Sequence, residues 1–374
     1  MLTPKVVVIG GSLGGLFSAI ALRDLGYGVS VFEKSSGLMR DRGAGIVLQS
    51  EVTELFRRYS IGTTNEISVP VRDRRYLNHD GTVAEDGRMA QDMTSWDMLY
   101  RKLREKFPDD KYHTETHFQR FDDSQRIVAH FDGGRTEECD LLIGADGPGS
   151  LVRQQLLPQV VAEYAGYVAW RGVVPEAEHP ELAREFAGRF TFFQASHTHI
   201  LCYLIPGLGG VVTPGQRRIN WVWYINAAPG PELDRVLTDK DGRRLEFSVP
   251  QGFVSTTMTD WLYEEARRIL PPTFRRLVEG TREPFVQTIH DLAVPKMAFG
   301  RVCLTGDAAF VPRPHTAAST AKAAANATAL RNHLTMAKGD VIEALQAWEP
   351  DQLEMGRRLR IHGQRLGNRS QFGR

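Results

Sequence analysis

Lys5-Val-Val-Val-Ile9 and the run that follows it, Gly10-Gly-Ser-Leu-Gly-Gly15, decide the fold of this chain of 374 residues. The first run is short and β-branched, which is typical of a strand buried on both faces. Apolar residues recur at helical spacing over residues 16–25, and a second apolar run, Val29-Ser-Val-Phe32, ends at Glu33. This order of strand, glycine turn, helix, strand and acid predicts a dinucleotide site in a doubly wound α/β fold.

The residue type at each position of the turn has a physical reason. Gly10 permits the tight turn, and Gly15 lets the helix pack closely on the strand. The helix N-terminus then faces a pyrophosphate with free N–H groups, and Glu33 lies where a carboxylate accepts hydrogen bonds from a ribose. Ser12 replaces the middle glycine of the usual G-x-G-x-x-G pattern. The alternative is a glycine-rich turn that binds nothing.

The composition narrows the class of protein. Hydrophobic residues make up 42% and charged residues 24%, which is normal for a globular protein, and the formal net charge is +1. A near-zero charge gives no electrostatic reason to expect binding to nucleic acid or to an anionic membrane. Three scattered cysteines favour a reducing compartment, and the histidines of residues 113–130 lack a complete metal-ligand set. With a strand beginning at residue 5 and no apolar run of transmembrane length, we expect no signal peptide and a cytoplasmic protein.

Two further apolar runs end in a glycine and an acid. The run over residues 140–144 leads to Asp146 and Gly147, and then to a helix that contains Arg153. Near the C-terminus, residues 300–305 lead to Gly306 and Asp307. Acids at the carboxyl ends of strands lie where doubly wound sheets bind ligands, so Asp146 and Asp307 are candidates for sugar hydroxyls and Arg153 for a phosphate. The alternative for Asp146 is a helix cap.

Between these motifs the pattern changes to period two. Residues 164–283 contain four alternating, aromatic-rich runs, which predict an antiparallel sheet. Its aromatic side chains suit a flat ligand, although each of them has the alternative role of a core residue. The residues that we expect to line the sheet are Trp170, Phe192, Trp221 and Trp223. The tail, residues 348–374, is arginine-rich and is expected to form a helix with a solvated basic face and a frayed end.

The three motifs stand in one order: the glycine turn with Glu33, Gly144-Ala-Asp-Gly147, and Gly306-Asp-Ala-Ala309 with Pro314. In this combination the chain resembles the single-component FAD-dependent aromatic hydroxylases, the para-hydroxybenzoate hydroxylase family. Residues 164–172 and 313–315 resemble most those members that act on hydroxylated pyridines. Three positions depart from the family pattern: Ala317-Ala-Ser319 replaces Gly-x-Gly, Phe310 replaces a histidine, and Trp96 replaces an arginine.

The resemblance implies an α/β fold with a Rossmann-like FAD-binding domain (GR2-type) and an inserted substrate domain of antiparallel β-sheet plus helices. The FAD domain would comprise residues 1–70, 96–163 and 284–374, and the substrate domain residues 71–95 and 164–283. The FAD-binding residues implied by position are Gly10, Ser12, Leu13, Gly14, Gly15, Glu33, Lys34, Arg42, Gly45, Ile46, Asp146, Gly147, Arg153, Gly306, Asp307, Pro314, Ala317 and Ala318.

The resemblance also implies the reaction. NADH or NADPH would reduce FAD, and O₂ would then form a flavin C4a-hydroperoxide that hydroxylates a small phenolic or hydroxylated N-heteroaromatic ring. We expect His315 to help ionise the substrate hydroxyl, with Tyr203 as a second catalytic candidate. The candidate substrate contacts are Arg171, Gln194, His199 and Trp223. A homodimer is possible. The alternatives are a flavin oxidase or dehydrogenase, and a flavin-binding sensor without turnover.

Overall fold

A computed structural model describes residues 3–36 and 44–373. Its strands are β1 (Lys5–Ile9), β2 (Gly28–Phe32), β3 (Gly45–Leu48), β4 (Val69–Leu77), β5 (Val83–Ser95), β6 (Tyr112–His113), β7 (Phe118–Asp123), β8 (Ile127–Phe131), β9 (Thr136–Cys139), β10 (Leu141–Gly144), β11 (Glu163–Pro175), β12 (Arg189–Ala195), β13 (Thr198–Ile205), β14 (Arg218–Asn226), β15 (Ser248–Val249), β16 (Phe285–Ala293), β17 (Ala298–Phe299), β18 (Val302–Leu304) and β19 (Phe310–Val311). Its α-helices are α1 (Leu13–Arg23), α2 (Ser50–Arg58), α3 (Thr64–Ile67), α4 (Trp96–Lys106), α5 (Leu151–Leu156), α6 (Pro180–Phe186), α7 (Pro231–Val236), α8 (Thr256–Ile269), α9 (Pro272–Glu279), α10 (Ser319–Met336) and α11 (Val341–Phe372).

The first sheet contains the nucleotide-binding unit. Its strand order is β17-β18-β10-β1-β2-β6, and β1 pairs in parallel with both β2 and β10. Because β1, β10 and β18 are parallel, the three glycine-and-acid motifs predicted above meet at one edge of the sheet. Helices α1 and α10 pack on this sheet, as the buried alanines of both helices indicate. The predicted Rossmann-like unit is therefore confirmed.

The second sheet runs in the order β15-β16-β11-β14-β13-β12-β4-β5-β3. The four predicted alternating runs are its central strands β11 to β14, paired antiparallel as expected. The β4–β5 hairpin extends this sheet, with β4 parallel to β12. One face is covered by α6 to α9 around the buried Trp170, Trp221 and Trp223, and the other faces the loop that contains His315 and Ala317.

Two expectations about local structure are corrected. The alternation of residues 113–118 predicts one strand, but β6 ends at His113 in the first sheet, while β7 starts a separate three-stranded sheet with β8 and β9. The tail is not frayed over the described residues, since α11 remains helical to Phe372 and buries Gly363, Gly367 and Gln371. Strands β3 and β16 pair within the second sheet, although the predicted domain limits assign them to the first domain. The division into domains stays a prediction.

None of the helices in the described part of the chain is long and apolar enough to cross a membrane.

Candidate functional site

The carboxyl-terminal edge of the first sheet holds a cleft of about 410 Å³. The predicted residues that line it are Gly10, Ser12, Leu13, Gly14, Glu33, Lys34, Asp146, Gly147, Gly306 and Asp307. The cleft brings together the glycine turn, the end of β2 and the loops that follow β10 and β18. The structure therefore assembles in one place ten residues that are distributed over some 300 positions of the sequence.

At two positions of the turn, glycine is required because a Cβ would overlap backbone atoms. Gly10 has φ 100°, and a Cβ there would overlap the backbone of Ala145 on the neighbouring strand loop. A Cβ on Gly15 would overlap the carbonyl of Gly10, so this glycine supports the turn without lining the cleft. Ser12 has φ −75°, a conformation open to any residue, which explains why serine is tolerated in place of the middle glycine. The first turn of α1 contains no acid and leaves its positive end to an anion.

Glu33 lies at the bottom of the cleft with 6% of its surface exposed. One carboxylate oxygen accepts from the Gly11 N–H at 2.8 Å, and the other accepts from the Ser35 N–H at 2.8 Å. Two backbone donors keep the carboxylate fixed. Each oxygen retains a further lone pair, so the carboxylate can still accept from a ribose hydroxyl.

Asp146 lines the cleft, but it also caps α5. Its carboxylate accepts from the Leu151 N–H at 2.7 Å and from the Ser150 hydroxyl at 2.5 Å, so the helix-cap alternative describes its contacts. The expectation for Arg153 is wrong, because its guanidinium is buried and turned away from the cleft. It donates to the carbonyls of Ala308 at 3.0 Å and Pro148 at 2.5 Å, and thereby ties two ligand-facing loops together.

Asp307 faces the cleft from the other side and has a partner that the sequence analysis missed. Lys322, on the first turns of α10, has a fully buried side chain whose ammonium group contacts the Asp307 carboxylate. Ser319 donates to the same oxygen at 3.0 Å, and Asn326 accepts from the Gly306 N–H at 3.1 Å. The sequence feature that could have revealed this pair is the lysine within an alanine-rich, buried helix, because a buried cation requires a counter-charge.

A second, larger cavity of about 1780 Å³ lies between the second sheet, residues 314–320 and the end of α11. It meets the first cleft at Trp96, Ser319 and Thr320, which line both. The predicted residues that line it are Gly45, Ile46, Arg171, Gln194, His199, Tyr203, Pro314, His315, Ala317 and Ala318. Arg42 lies outside the described residues. Ala317, which stands where the family pattern has glycine, adopts a left-handed conformation with φ 53°.

The floor of this cavity is one face of the second sheet, and its strand register gives two rows of side chains. An apolar row, Phe192, Leu201 and Val222, ends at Arg171 and Phe285. A polar row beside it contains Gln194, His199, Tyr224 and Gln287. Trp223 is paired to Ile200 and Trp170 on the opposite face, where its indole donates to Thr198 at 2.7 Å. The expectation that Trp170, Trp221 and Trp223 line the ligand side is therefore wrong, because strand neighbours alternate between faces.

The two histidines of this cavity pack against each other at 5.7 Å between ring centroids. His315 also lies 4.2 Å from the Tyr224 ring, and its Nε2 is 3.1 Å from the Tyr167 hydroxyl. Burial, His199 and Arg313 together lower the pKa of His315 to about 3, and burial lowers the pKa of His199 to about 4. Burial raises the pKa of Tyr203 above its ordinary value and that of Tyr224 to about 12. At neutral pH these four groups are uncharged.

The cations of the cavity lack counter-charges. Arg171, Arg74 and Arg369 form no ion pair within the described residues, and Glu283 is the one carboxylate among the described residues that line the cavity. Arg74 lies over the rings of Phe190 and Phe192 at one end. Because three positive groups face one negative group, the cavity favours an anionic ligand.

The joined cavities fit FAD. A glycine cradle with a helix N-terminus and a fixed carboxylate suits an adenosine diphosphate, and the adjoining cavity, bounded by Gly45, Ile46 and Pro314, has room for a flavin ring beside a second ring.

Comparison with known proteins agrees with this geometry. A family model described as FAD binding domain-like matches residues 164–291. The 2,6-dihydroxypyridine 3-monooxygenase of Paenarthrobacter nicotinovorans is 35% identical over 99% of this chain and 92% of its own length. The 6-hydroxynicotinate 3-monooxygenase of Pseudomonas fluorescens is 27% identical over 86% of this chain and 80% of its own.

A solved structure of 2,6-dihydroxypyridine-3-hydroxylase from Arthrobacter nicotinovorans superposes with a TM-score of 0.93 at 34% identity, covering 100% of this chain and 94% of that one. The resemblance drawn from the three motifs is confirmed. The chain belongs to the single-component FAD-dependent aromatic monooxygenases, flavoenzymes that take their electrons from NAD(P)H.

Proposed function

We propose that this enzyme hydroxylates a small hydroxylated N-heteroaromatic ring of the 2,6-dihydroxypyridine type. The observation behind the proposal is the floor of the larger cavity, where an apolar row lies beside a row of neutral hydrogen-bonding groups. A flat ring with hydroxyl and ring-nitrogen groups along one edge matches both rows. The two relatives named above that act on hydroxylated pyridines support the same substrate class.

We propose further that the ring binds as an anion. A ring hydroxyl must ionise to activate the carbon that is attacked, and the sequence predicts His315 as the group that helps to ionise it. An imidazole with a pKa of about 3 is too weak a base to take a proton from a ring hydroxyl near neutral pH. Arg171 lies at the end of the apolar row without a carboxylate partner in the described structure, so its charge can stabilise a substrate anion directly.

In this mechanism each group of the chain has a limited task. FAD, when bound, supplies two electrons from NAD(P)H and the activation of O₂. The glycine turn, Glu33 and Asp307 would hold the cofactor, and the loop at Pro314 lies along the ring cavity. Arg171 and the polar row orient the substrate, while His315, as a neutral imidazole, offers a hydrogen bond and a wall that excludes water.

The experiment is to measure NADH and NADPH oxidation with 2,6-dihydroxypyridine, 6-hydroxynicotinate and a set of phenols, using ¹⁸O₂ and mass spectrometry of the products. We expect one hydroxypyridine to accelerate oxidation and to gain one ¹⁸O atom. Acceleration by phenols alone would replace the heteroaromatic substrate by a phenolic one. Substrate oxidation with equimolar H₂O₂ and no ¹⁸O would support the oxidase or dehydrogenase alternative, and ring binding without faster NADH oxidation would support the sensor.

The kinetic pH profile tests the anion. If the substrate arrives ionised, kcat/KM rises with pH around the pKa of the substrate itself. The midpoint of that rise shifts when a ring substituent shifts the substrate pKa. A profile that keeps one enzyme pKa across substrates of different acidity would mean that an enzyme group removes the proton. The assignment of single FAD-binding residues, the cytoplasmic location and the homodimer stay predictions.

A further inference from the structure

We infer that the last turns of α11, residues 363–372, are positioning residues for hydroxylation, because they hold the Arg313–His315 loop against the ring cavity. The inference rests on the proposed function in one respect only: the reaction whose yield it concerns is the proposed hydroxylation. The segment was expected to fray in solvent. Instead it forms part of the cavity wall through Leu366, Arg369 and Ser370.

Glycines inside α11 allow the helix to approach the loop closely. A Cβ on Gly363 would lie 3.1 Å from the Arg313 nitrogen, and a Cβ on Gly367 would lie 2.5 Å from the Tyr167 hydroxyl oxygen. Glycine is less favourable than alanine within a helix, so two glycines one turn apart on the packed face need a compensating contact. That contact is the loop that contains His315.

Arg313 joins the helix to the loop and to the second sheet. Its guanidinium is buried and donates to both oxygens of Asp291 on β16, at 2.7 to 3.1 Å. From α11, Asn368 accepts from Arg313 at 2.8 Å, and Gln364 donates to Asp291 at 3.2 Å. The buried ion pair is therefore completed by two polar side chains of the tail.

The network continues to the cavity. Arg313 lies over the Tyr167 ring at 5.6 Å, and the Tyr167 hydroxyl is 3.1 Å from His315 Nε2. The end of the helix is fixed to the sheet, because the Gln371 carbonyl accepts from Asn226 at 3.0 Å and contacts His197 Nδ1 at 2.8 Å. A shift of α11 must therefore move Arg313 or Tyr167, and with them the imidazole beside the substrate.

Loss of this support should appear as uncoupling. The cleft that would hold the adenosine diphosphate half of FAD contains no residue of α11, so FAD stays bound, while the substrate ring is held less well and reducing equivalents escape as H₂O₂. The variant Asn368→Ala removes the tail's hydrogen bond to Arg313, and Asn368→Asp restores an acceptor at the same distance from the backbone. Arg365→Ala, on the exposed face of the same helix, is the matched control.

The experiment compares these three variants with the wild-type holoenzyme in FAD content, flavin reduction rate, and product formed per NADH oxidised. For Asn368→Ala we expect full FAD content and a fall of roughly threefold or more in product per NADH, with matching H₂O₂. Asn368→Asp should regain most of the yield, and Arg365→Ala should equal the wild type. A second variant, Gly367→Ala, tests the steric contact and should lower the yield in the same way.

The inference is overturned if Asn368→Ala and Gly367→Ala both keep the wild-type yield. It is also overturned if they lose FAD and thermal stability together while the remaining holoenzyme couples normally, because that result defines a purely structural role. Failure of the proposed function is seen separately, in wild-type enzyme that hydroxylates none of the tested rings. In that case the measured quantity is the shift in the flavin absorption spectrum when a ring ligand binds, instead of the product yield. A shift for Asn368→Ala equal to that of the wild type overturns the inference.

Discussion

The protonation of His315 and His199 is the prediction with the widest consequence, because it decides whether the cavity contains a base. Their pKa values in the folded protein are about 3 and about 4, against an ordinary value near 6.5. The unfolded chain therefore binds more protons than the folded one at mildly acidic pH. Stability is complete above pH 6.5 and falls as the pH falls below it, until the folded imidazoles also titrate.

The magnitude follows from linkage. One pH unit below its unfolded pKa, each neutral buried histidine costs about 1.4 kcal/mol of stability, so the pair costs about 3 kcal/mol between pH 7.5 and 5.5. We expect His315→Gln to remove about half of that dependence, whatever it does to stability at pH 7.5. Other histidines, such as His290, have lowered pKa values and contribute the same slope to both proteins.

The assay is urea unfolding of FAD-saturated protein at pH 7.5, 6.5 and 5.5, for wild type, His315→Gln and His199→Gln. The difference in slope between proteins is the quantity of interest, because it cancels the contribution of the remaining groups. If the wild-type and His315→Gln slopes coincide, His315 protonates in the folded state near its ordinary pKa. The imidazole is then available as a general base, and the anion mechanism loses its main support.

Three further predictions concern the cofactor and the substrate. Asp307→Ala should purify without yellow colour, because it lacks FAD. Asp307→Ala/Lys322→Met should also lack FAD but should recover stability, because the unpaired buried ammonium group has been removed. FAD retained in both variants would refute the role of Asp307. Arg171→Met should raise the dissociation constant of the ring ligand about 10- to 150-fold, because a hydrogen bond to a charged group contributes about 1.5 to 3 kcal/mol. The control variant Arg184→Met, at an exposed position, should leave that constant unchanged. Spectral titration measures both, and equal constants would remove Arg171 from the site. Ser12→Gly should leave FAD affinity within about twofold, since Ser12 already has an ordinary φ; a large gain by fluorescence titration would mean that its side chain obstructs the pyrophosphate.

The sequence by itself determined the nucleotide-binding half of this protein. Gly10, Gly15 and Glu33 belong to one strand–turn–helix–strand unit, whose geometry is local, and the parallel pairing of buried strands brings the loops of Asp146 and Asp307 to the same edge. The presence of an aromatic-rich antiparallel sheet was likewise readable, because alternation with period two is a property of the strand itself.

Only the tertiary structure decided which face of that sheet meets the ligand. Alternation divides β14 into two sets, Trp221 with Trp223 and Val222 with Tyr224, but it does not say which set lies under helices α8 and α9. Long-range contacts decided the rest. Lys322 is buried against Asp307 across a turn of the chain, and α11 packs at Gly367 against Tyr167, which is far away in the chain. A local pattern records the propensity and spacing of residues, whereas burial and charge pairing depend on what the fold brings against them.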